Sequence, residues 1–587
     1  MNKVMYLGVL AAAIGLQGCS SDNDDWTSDN GYTPSGSTNS GTSSSGSSST
    51  NTDFDSFDLS VNTNSLTETE ASIPADDGDY VENTSFSQTI SIVYNGSSAS
   101  VTGSLDGVEI SVSGADVTVN STTDENVIYS VSGSTTDGSL KIYSSKKFQL
   151  ALDGVSITNP TGAAVNIQSK KRVFVVLGSN TENTLTDGTS YTGGTDGEDM
   201  KACFFSEGQL VFSGSGRLSV YGNCKAGIRS DDYVVIRPNT NIYVNATSGN
   251  GIKGDEALSI YGGVVNVEVS AAGAKALSTD GHALISGGRT TAIVTGGSYY
   301  DSDERDVTGS AGLKADSTFT ITGGELYVKN TGNGGKGLST DMQTYIKGGT
   351  VGIITTGKTY SYSNSVDSKA KGIKADGDII VSGGTVKVKT TGGSGSEGIE
   401  SKGVLTITDG DVQVYAYDDA LNSKSHTYIN GGSVYAHSTG NDGIDTNGNF
   451  YVQGGTTIAY GTRQPECGID ANEEGGYSVF FTGGNLFAIG GGNSVPSSSN
   501  STQGYVTASG SVTKGGTAAI ANSSGTLATF TLPASYSSGT ILVSANGMTS
   551  GSSYTLTIGS SSTTLTAQQY GSSGMGGGGM QGPGGRW

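Results

Sequence analysis

Seven carboxylates crowd the later part of this 587-residue chain at a repeating spacing. They fall in four short phrases: Glu397-Gly398-Ile399-Glu400, Asp418-Asp419-Ala420-Leu421-Asn422, Asp442-Gly443-Ile444-Asp445-Thr446-Asn447 and Gly468-Ile469-Asp470. Stacked at sheet spacing, such acids lie about 5 Å apart and repel by roughly 3 kcal/mol per pair at an effective dielectric near 20. Two bases, Lys402 and Lys424, oppose them on the same face. A hard cation with about six to eight oxygen ligands removes the repulsion, and calcium tolerates irregular geometry. Asn422 and Asn447 add neutral oxygens, and the missing His and Cys ligands disfavour zinc. The expected calcium ligands are therefore Glu397, Glu400, Asp418, Asp419, Asn422, Asp442, Asp445, Asn447 and Asp470.

A second chemistry is carried by rings. Sugar faces stack on aromatic side chains through their apolar C–H surfaces. Tyr415, Tyr435 and Tyr460 occupy outward strand positions, and Tyr417 extends the row, so these four tyrosines are the expected saccharide contacts. The competing expectation is that the strand-rich segment from about residue 515 to 560 folds back and covers them. His282, His426 and His437 show no triad spacing with a nucleophile, so no catalytic residue is assigned. A lyase needs a base beside a cation-held uronate, and Lys402 or Lys424 fits that role as the alternative. Their duty as counter-charges explains them without it.

The elements that position these groups follow from a repeat, which is sought before other structure. The phrase small–Ile/Leu–polar–small–Asp/Asn/Lys recurs with its apolar residue at Ile228, Ile252, Leu277, Leu313, Leu338, Ile373, Ile399, Leu421, Ile444 and Ile469. The intervals are 24, 25, 36, 25, 35, 26, 22, 23 and 25 residues, so two insertions are expected, near residues 299–307 and 359–368. Val165 and Phe204 continue the series backwards. A Gly-Gly pair follows each phrase, as at Gly262-Gly263 and Gly383-Gly384, and then a strict alternation such as Thr385-Val386-Lys387-Val388-Lys389. That alternation is a strand with one buried face. One repeat is thus strand, turn, strand, turn, which cannot bury its apolar row unless it stacks on its neighbours. The fold class expected is all-β: a right-handed single-stranded parallel β-helix with a small C-terminal β segment. In the earlier coils Asp231, Asp255, Asp280, Asp316, Asp341 and Asp376 form a column beside Arg229, Lys253, Lys314 and Lys374, which is expected to be a self-neutralised face.

The ends carry other signals. Lys3, an apolar run to Leu16 and then Leu16-Gln17-Gly18-Cys19 resemble a lipoprotein signal cut before Cys19, the expected lipidation site. The acids that follow resemble signals for the outer face of an outer membrane, so a surface-exposed outer-membrane lipoprotein is expected. The expected boundaries are a signal peptide at 1–18, a disordered tether at 19–53, an N-terminal β segment with the first coils at 54–160, the β-helix at 161–495, a C-terminal β cap at 496–570 and a disordered Gly-rich tail at 571–587. The net charge of −23 excludes nucleic acid as a partner, because phosphates demand Lys and Arg. Besides Cys19, the chain has Cys203, Cys224 and Cys467, an odd remainder expected to stay unpaired.

The long matching text resembles a known family of β-helical carbohydrate-binding domains related in fold to pectate lyases. It includes Leu152-Asp153-Gly154-Val155-Ser156-Ile157, Glu182-Asn183-Thr184-Leu185-Thr186-Asp187-Gly188, the Gly-Ile-Lys-Ala-Asp-Gly phrase at 372–377 and Asn441-Asp442-Gly443-Ile444-Asp445-Thr446-Asn447-Gly448. The resemblance runs from about residue 90 to about residue 555. It implies binding to plant cell-wall-type or acidic polysaccharide and calcium on the helix, and it does not generally imply cleavage. The leading expectation is a non-catalytic, calcium-dependent polysaccharide-binding surface lipoprotein. The alternatives are a calcium-dependent pectate-like lyase and a structural adhesin or stalk.

Overall fold

The computed structural model describes residues 75–192, 198–497 and 500–569. The expected signal peptide, Cys19, tether and Gly-rich tail lie outside the described residues.

Alternating Val/Ile/Leu strands separated by glycine turns wind into a parallel β-solenoid of about 15 turns. The apolar marks of the repeat stack in one interior row. Leu140 pairs with Val165, Val165 with Phe204, Phe204 with Ile228, and the register continues without slip through Ile252, Leu277, Leu313, Leu338, Ile373, Ile399, Leu421, Ile444 and Ile469. All of these side chains are buried, in one continuous core. This row belongs to a 15-stranded sheet that forms one face of the solenoid. Two further ladders complete each coil, for example Ala257–Ile260 and Val264–Val269. They join into one 28-stranded sheet because long strands such as Ile379–Thr390 and Leu405–Ala416 run through the corner between them.

The glycine pairs make the corners. Gly384 has φ +79, and a β-carbon there would sit 2.6 Å from the Gly349 carbonyl oxygen one coil away. Glycine is needed both for the left-handed backbone and for the close approach of stacked turns.

The two long intervals are β-hairpins, Tyr299–Asp301 with Asp306–Thr308 and Tyr360–Ser363 with Val366–Ser368. They stack on each other, with the Tyr300 and Tyr362 rings 3.7 Å apart and nearly parallel. At the C-terminal end the stack changes direction. Asn485–Gly490 pairs antiparallel with Tyr536–Ser544, which pairs antiparallel with Tyr505–Val512. A separate four-stranded antiparallel sheet follows, from Thr517–Asn522, Gly525–Thr531, Ser553–Ile558 and Ser561–Thr566. This module blocks the open strand edge that a solenoid end would otherwise present.

Candidate cation site and the cleft beside it

Parallel stacking turns sequence spacing into vertical columns on the outer surface of the 15-stranded sheet. One column lies two residues before the apolar mark. Its register is Lys275, Ala311, Lys336 and Lys371. Backbone bonds from Gly372 to Glu397, Gly398 to Asp419, Ala420 to Asp442 and Gly443 to Cys467 continue it. The column one residue after the mark runs Lys374, Glu400, Asn422, Asp445 and Asp470. Both columns therefore change from basic to acidic between the coil of Ile373 and that of Ile399.

The expected self-neutralised face is present on the basic side. Arg229 pairs with Asp255, Lys253 with Asp280 and Lys314 with Asp341 across neighbouring coils. At the boundary, Lys371 reaches both Glu397 and Glu400 (2.5 and 2.9 Å), and Lys402 pairs with Glu400. Burial works against the charge of both glutamates. The Lys371 and Lys402 ammonium groups overcome it at Glu400, which titrates below its ordinary range. Glu397, more affected by burial than by Lys371, titrates above it. The expectation that Glu397 and Glu400 stand among uncompensated acids is thus corrected. Lys371, on the preceding coil, is their counter-charge.

One and two coils further on, compensation stops. Asp442, Asp445 and Asp470 each offer a carboxylate oxygen within 4.8 Å of the others. Among the described residues no Lys or Arg pairs with them. Asp442 accepts from the Cys467 backbone N–H, and Asp470 accepts from Ser494 Oγ at 3.1 Å. Asp419 sits beside this triad, accepting the Asp442 N–H at 3.1 Å. Asn422 links them, its amide nitrogen donating to Asp419 at 2.9 Å and to Asp445 at 2.8 Å. Burial, followed by repulsion between neighbours, raises the carboxyls: Asp419 to about 9, Asp442 to about 8 and Asp445 to about 7. Asp470 shifts up for the same first reason. Of the nine expected ligands, three converge and two, Asp419 and Asn422, adjoin them. Asp418 is turned toward the Gly395 N–H and the Asn441 amide. Asn447 is exposed and donates to the Ser423 carbonyl at 3.4 Å. Cys467 stays unpaired, as do Cys203 and Cys224. Burial and then Asp470, Asp442 and Glu466 push the Cys467 thiol far up.

The expected tyrosine stripe divides. Tyr435 and Tyr460 are 2% and 0% exposed, packed with Ile458, Phe487 and Phe530 beneath the C-terminal module. Tyr415 is half-buried against the same cluster and meets the His437 ring edge-on at 5.0 Å. These three do not face solvent as a sugar stripe; the folded-back segment covers them, the competing expectation. Tyr417, beyond the edge of the module, is 45% exposed.

Where the module meets the coils, a cleft of about 520 Å³ opens, lined by His437, Thr462, Arg463, Ser535, Tyr536 and Ser537 among others. Sequence reasoning did not find it, because one wall, Ser535, Tyr536 and Ser537, comes from a distant segment that docks by Tyr536 Oη donating to the Thr462 carbonyl, 74 residues away. Its volume suits a small ligand. The turn at residues 438–442 is shared by cleft and triad. Ser438 lines the cleft and caps the Asn441 N–H at 2.8 Å, and Asp442 follows directly. Tyr417, on the preceding coil, packs against this turn, its ring 2.8 Å from where a β-carbon of Gly440 would be. His437 is held neutral by burial, down to about 4, and bonds Tyr435 Oη through Nδ1 at 2.7 Å.

The sequence model of one protein family, described as "Carbohydrate-binding domain-containing protein", matches residues 113–282, 360–443 and 390–572, more than half of the chain. A curated relative of the same description from Acetivibrio thermocellus is 36% identical over 105 residues. That alignment covers 17% of this chain and 36% of the relative, so the chain spans about a third of the relative's length. Among solved structures, a polysaccharide lyase-like protein from C. thermocellum, a gadolinium derivative, aligns at 23% identity with a TM-score of 0.32, covering 54% of this chain and 96% of that one. On the extent of the family match, this chain belongs to the carbohydrate-binding domain-containing proteins.

Proposed function

We propose that the chain is a non-catalytic, calcium-dependent polysaccharide-binding protein held at the cell surface through a lipid on Cys19. The observation that carries this reading is the Asp442, Asp445 and Asp470 triad. Its three carboxylates meet within 4.8 Å, without a basic partner among the described residues, and the shared turn joins them to a cleft of saccharide size. An ion there would take these three oxygens, with Asp419 adjoining, and would supply charge to hold an acidic or hydroxyl-rich sugar at the cleft. Ionised acids packed together without a cation are costly, and that cost supports a cation here. The non-catalytic reading is supported by Lys402, one of the two bases open to the alternative beside Lys424, being committed to Glu400. The surface location is supported by the Leu16-Gln17-Gly18-Cys19 sequence.

The test is retention of the purified mature chain on insoluble pectin and cellulose, with calcium or with a chelator. Retention lost in chelator and in Asp445→Asn supports the reading. Retention indifferent to both removes the calcium role, and absence of retention on either polymer favours a structural stalk. Release of unsaturated uronate from pectate would convert the reading to a lyase.

A further inference from the structure

The two hairpins interrupt an otherwise uniform coil, and nothing in the acidic triad or its cleft uses them. Their bases bring two serine side chains and a glycine together. Ser298 precedes the first hairpin, Gly309 follows it, and Ser368 ends the second. All three surround Lys336, on the coil between. A β-carbon placed on Gly309 would lie 3.4 Å from Lys336 Nζ, 3.8 Å from Ser298 Oγ and 3.9 Å from Ser368 Oγ. The missing side chain of Gly309 leaves a small cradle ringed by these groups.

The hydrogen-bond inventory of the cradle is one-sided. Lys336 Nζ donates to the Gly334 carbonyl at 2.9 Å and to Ser368 Oγ. Ser368 passes its own proton to the Gly334 carbonyl at 2.9 Å. An ammonium group has three donors, so one remains. Ser298 is 5% exposed and its Oγ has no partner. A spare ammonium donor and an unpartnered hydroxyl therefore meet beside Gly309. Lys336 is unlike Lys371 in the same column, which is answered by two glutamates; among the described residues no carboxylate forms an ion pair with Lys336. Burial, then Lys374 and Lys371 nearby, hold its ammonium down to about 8 against the weaker pull of Glu400 and Asp367. The second of these hairpins also carries Tyr362, 57% exposed and stacked on Tyr300 of the first.

We propose that the paired hairpins form a second saccharide site, distinct from the acidic triad, in which Lys336 and Ser298 receive an oxyanion borne by a sugar and Tyr362 packs on the sugar ring. The oxyanion is a carboxylate or a sulfate ester, which share this chemistry. The proposal rests on the carbohydrate-binding reading, and sets where an anionic unit docks.

The test measures affinity of the mature chain for polygalacturonate, dextran sulfate and neutral dextran, for the wild type and for Lys336→Met, Gly309→Ala, Tyr362→Ala and Asp445→Asn. Gly309→Ala is the decisive variant. Its methyl group makes ordinary contacts with its neighbours and fills the cradle, so the fold survives, as a melting curve would verify. Losing a charge-assisted hydrogen bond predicts a drop of about tenfold or more for the anionic polymer that binds, with none for dextran. Preference for polygalacturonate over dextran sulfate names the carboxylate; the reverse names the sulfate ester. Anionic binding unchanged in Gly309→Ala overturns the hairpin site, whatever Asp445→Asn does. Equal losses on charged and neutral polymers in Gly309→Ala overturn it too. A wild type that binds none of the three polymers overturns the carbohydrate-binding reading itself and the hairpin site with it.

Discussion

The Asn422 amide nitrogen stands 2.8 Å from Asp445 Oδ2, one coil above it in the same column. The same nitrogen serves Asp419, so a single neutral amide separates a buried carboxyl from a half-buried one. Replacing it with a third acid removes the donor and adds charge. Asn422→Asp is expected to destabilise the calcium-free protein at pH 8 by about 1–3 kcal/mol and to lose less when calcium is saturating. Thermal melts in chelator and in calcium check this; an equal loss in both conditions would contradict a cation at this place.

The acidic triad also fixes a pH dependence. Asp419, Asp442 and Asp445 titrate at about 9, 8 and 7, above the ordinary value of about 3.9 for an unfolded aspartate. Between about pH 4 and pH 9 the folded, calcium-free chain therefore keeps protons that the unfolded chain has released. Its stability is expected to fall as pH rises through that window. Calcium must displace those protons, so its affinity is expected to climb from pH 6 to pH 9. Melting temperature against pH in chelator, with calorimetric titration at three pH values, measures both slopes.

Two tyrosines that look alike in sequence are expected to behave differently. Tyr417→Ala is expected to leave stability within about 0.5 kcal/mol and to weaken polysaccharide retention. Tyr460→Ala opens a cavity under the C-terminal module and is expected to cost about 3–5 kcal/mol. Paired melts and pull-downs on both variants separate contact from packing.

Each interior mark is clamped between neighbours above and below. Ile373→Ala, in the coil that carries Lys371 and Lys374, is expected to cost about 2–5 kcal/mol. It should also raise amide exchange in the two flanking coils before any change at residues 228–260, because a solenoid is held by nearest-neighbour contacts. Hydrogen exchange read by mass spectrometry checks the order.

The interior row was legible because its signal is local and repeated: an Ile or Leu every two dozen residues, with glycine pairs at fixed offsets. The two hairpins announced themselves as intervals of 36 and 35 residues. Side-chain partnership was less legible. Glu400 looks uncompensated in its own phrase, yet its main counter-charge, Lys371, comes from the previous coil and from a different column. The alternation that points Tyr435 and Tyr460 outward is correct for their strands, but outward means covered once residues 505–566 fold back. Nothing in the local pattern says which surface a later module will occupy. The cradle at Gly309 was invisible for the same reason, since its groups come from three separate coils.

The antiparallel junction of Asn485–Gly490 with Tyr536–Ser544 terminates the stack, while the coils before it remain interchangeable in length. The rod is thus a ruler whose size is edited in whole turns. Excising residues 313–337 brings Leu338 into the place of Leu313, shortens the axis by about 4.8 Å and leaves every later rung in line. Cutting half as many residues would rotate all that follows and scramble every vertical alignment beyond the scar. Lengthening or shortening such a molecule without losing its register therefore takes whole coils, added or removed ahead of the terminal module.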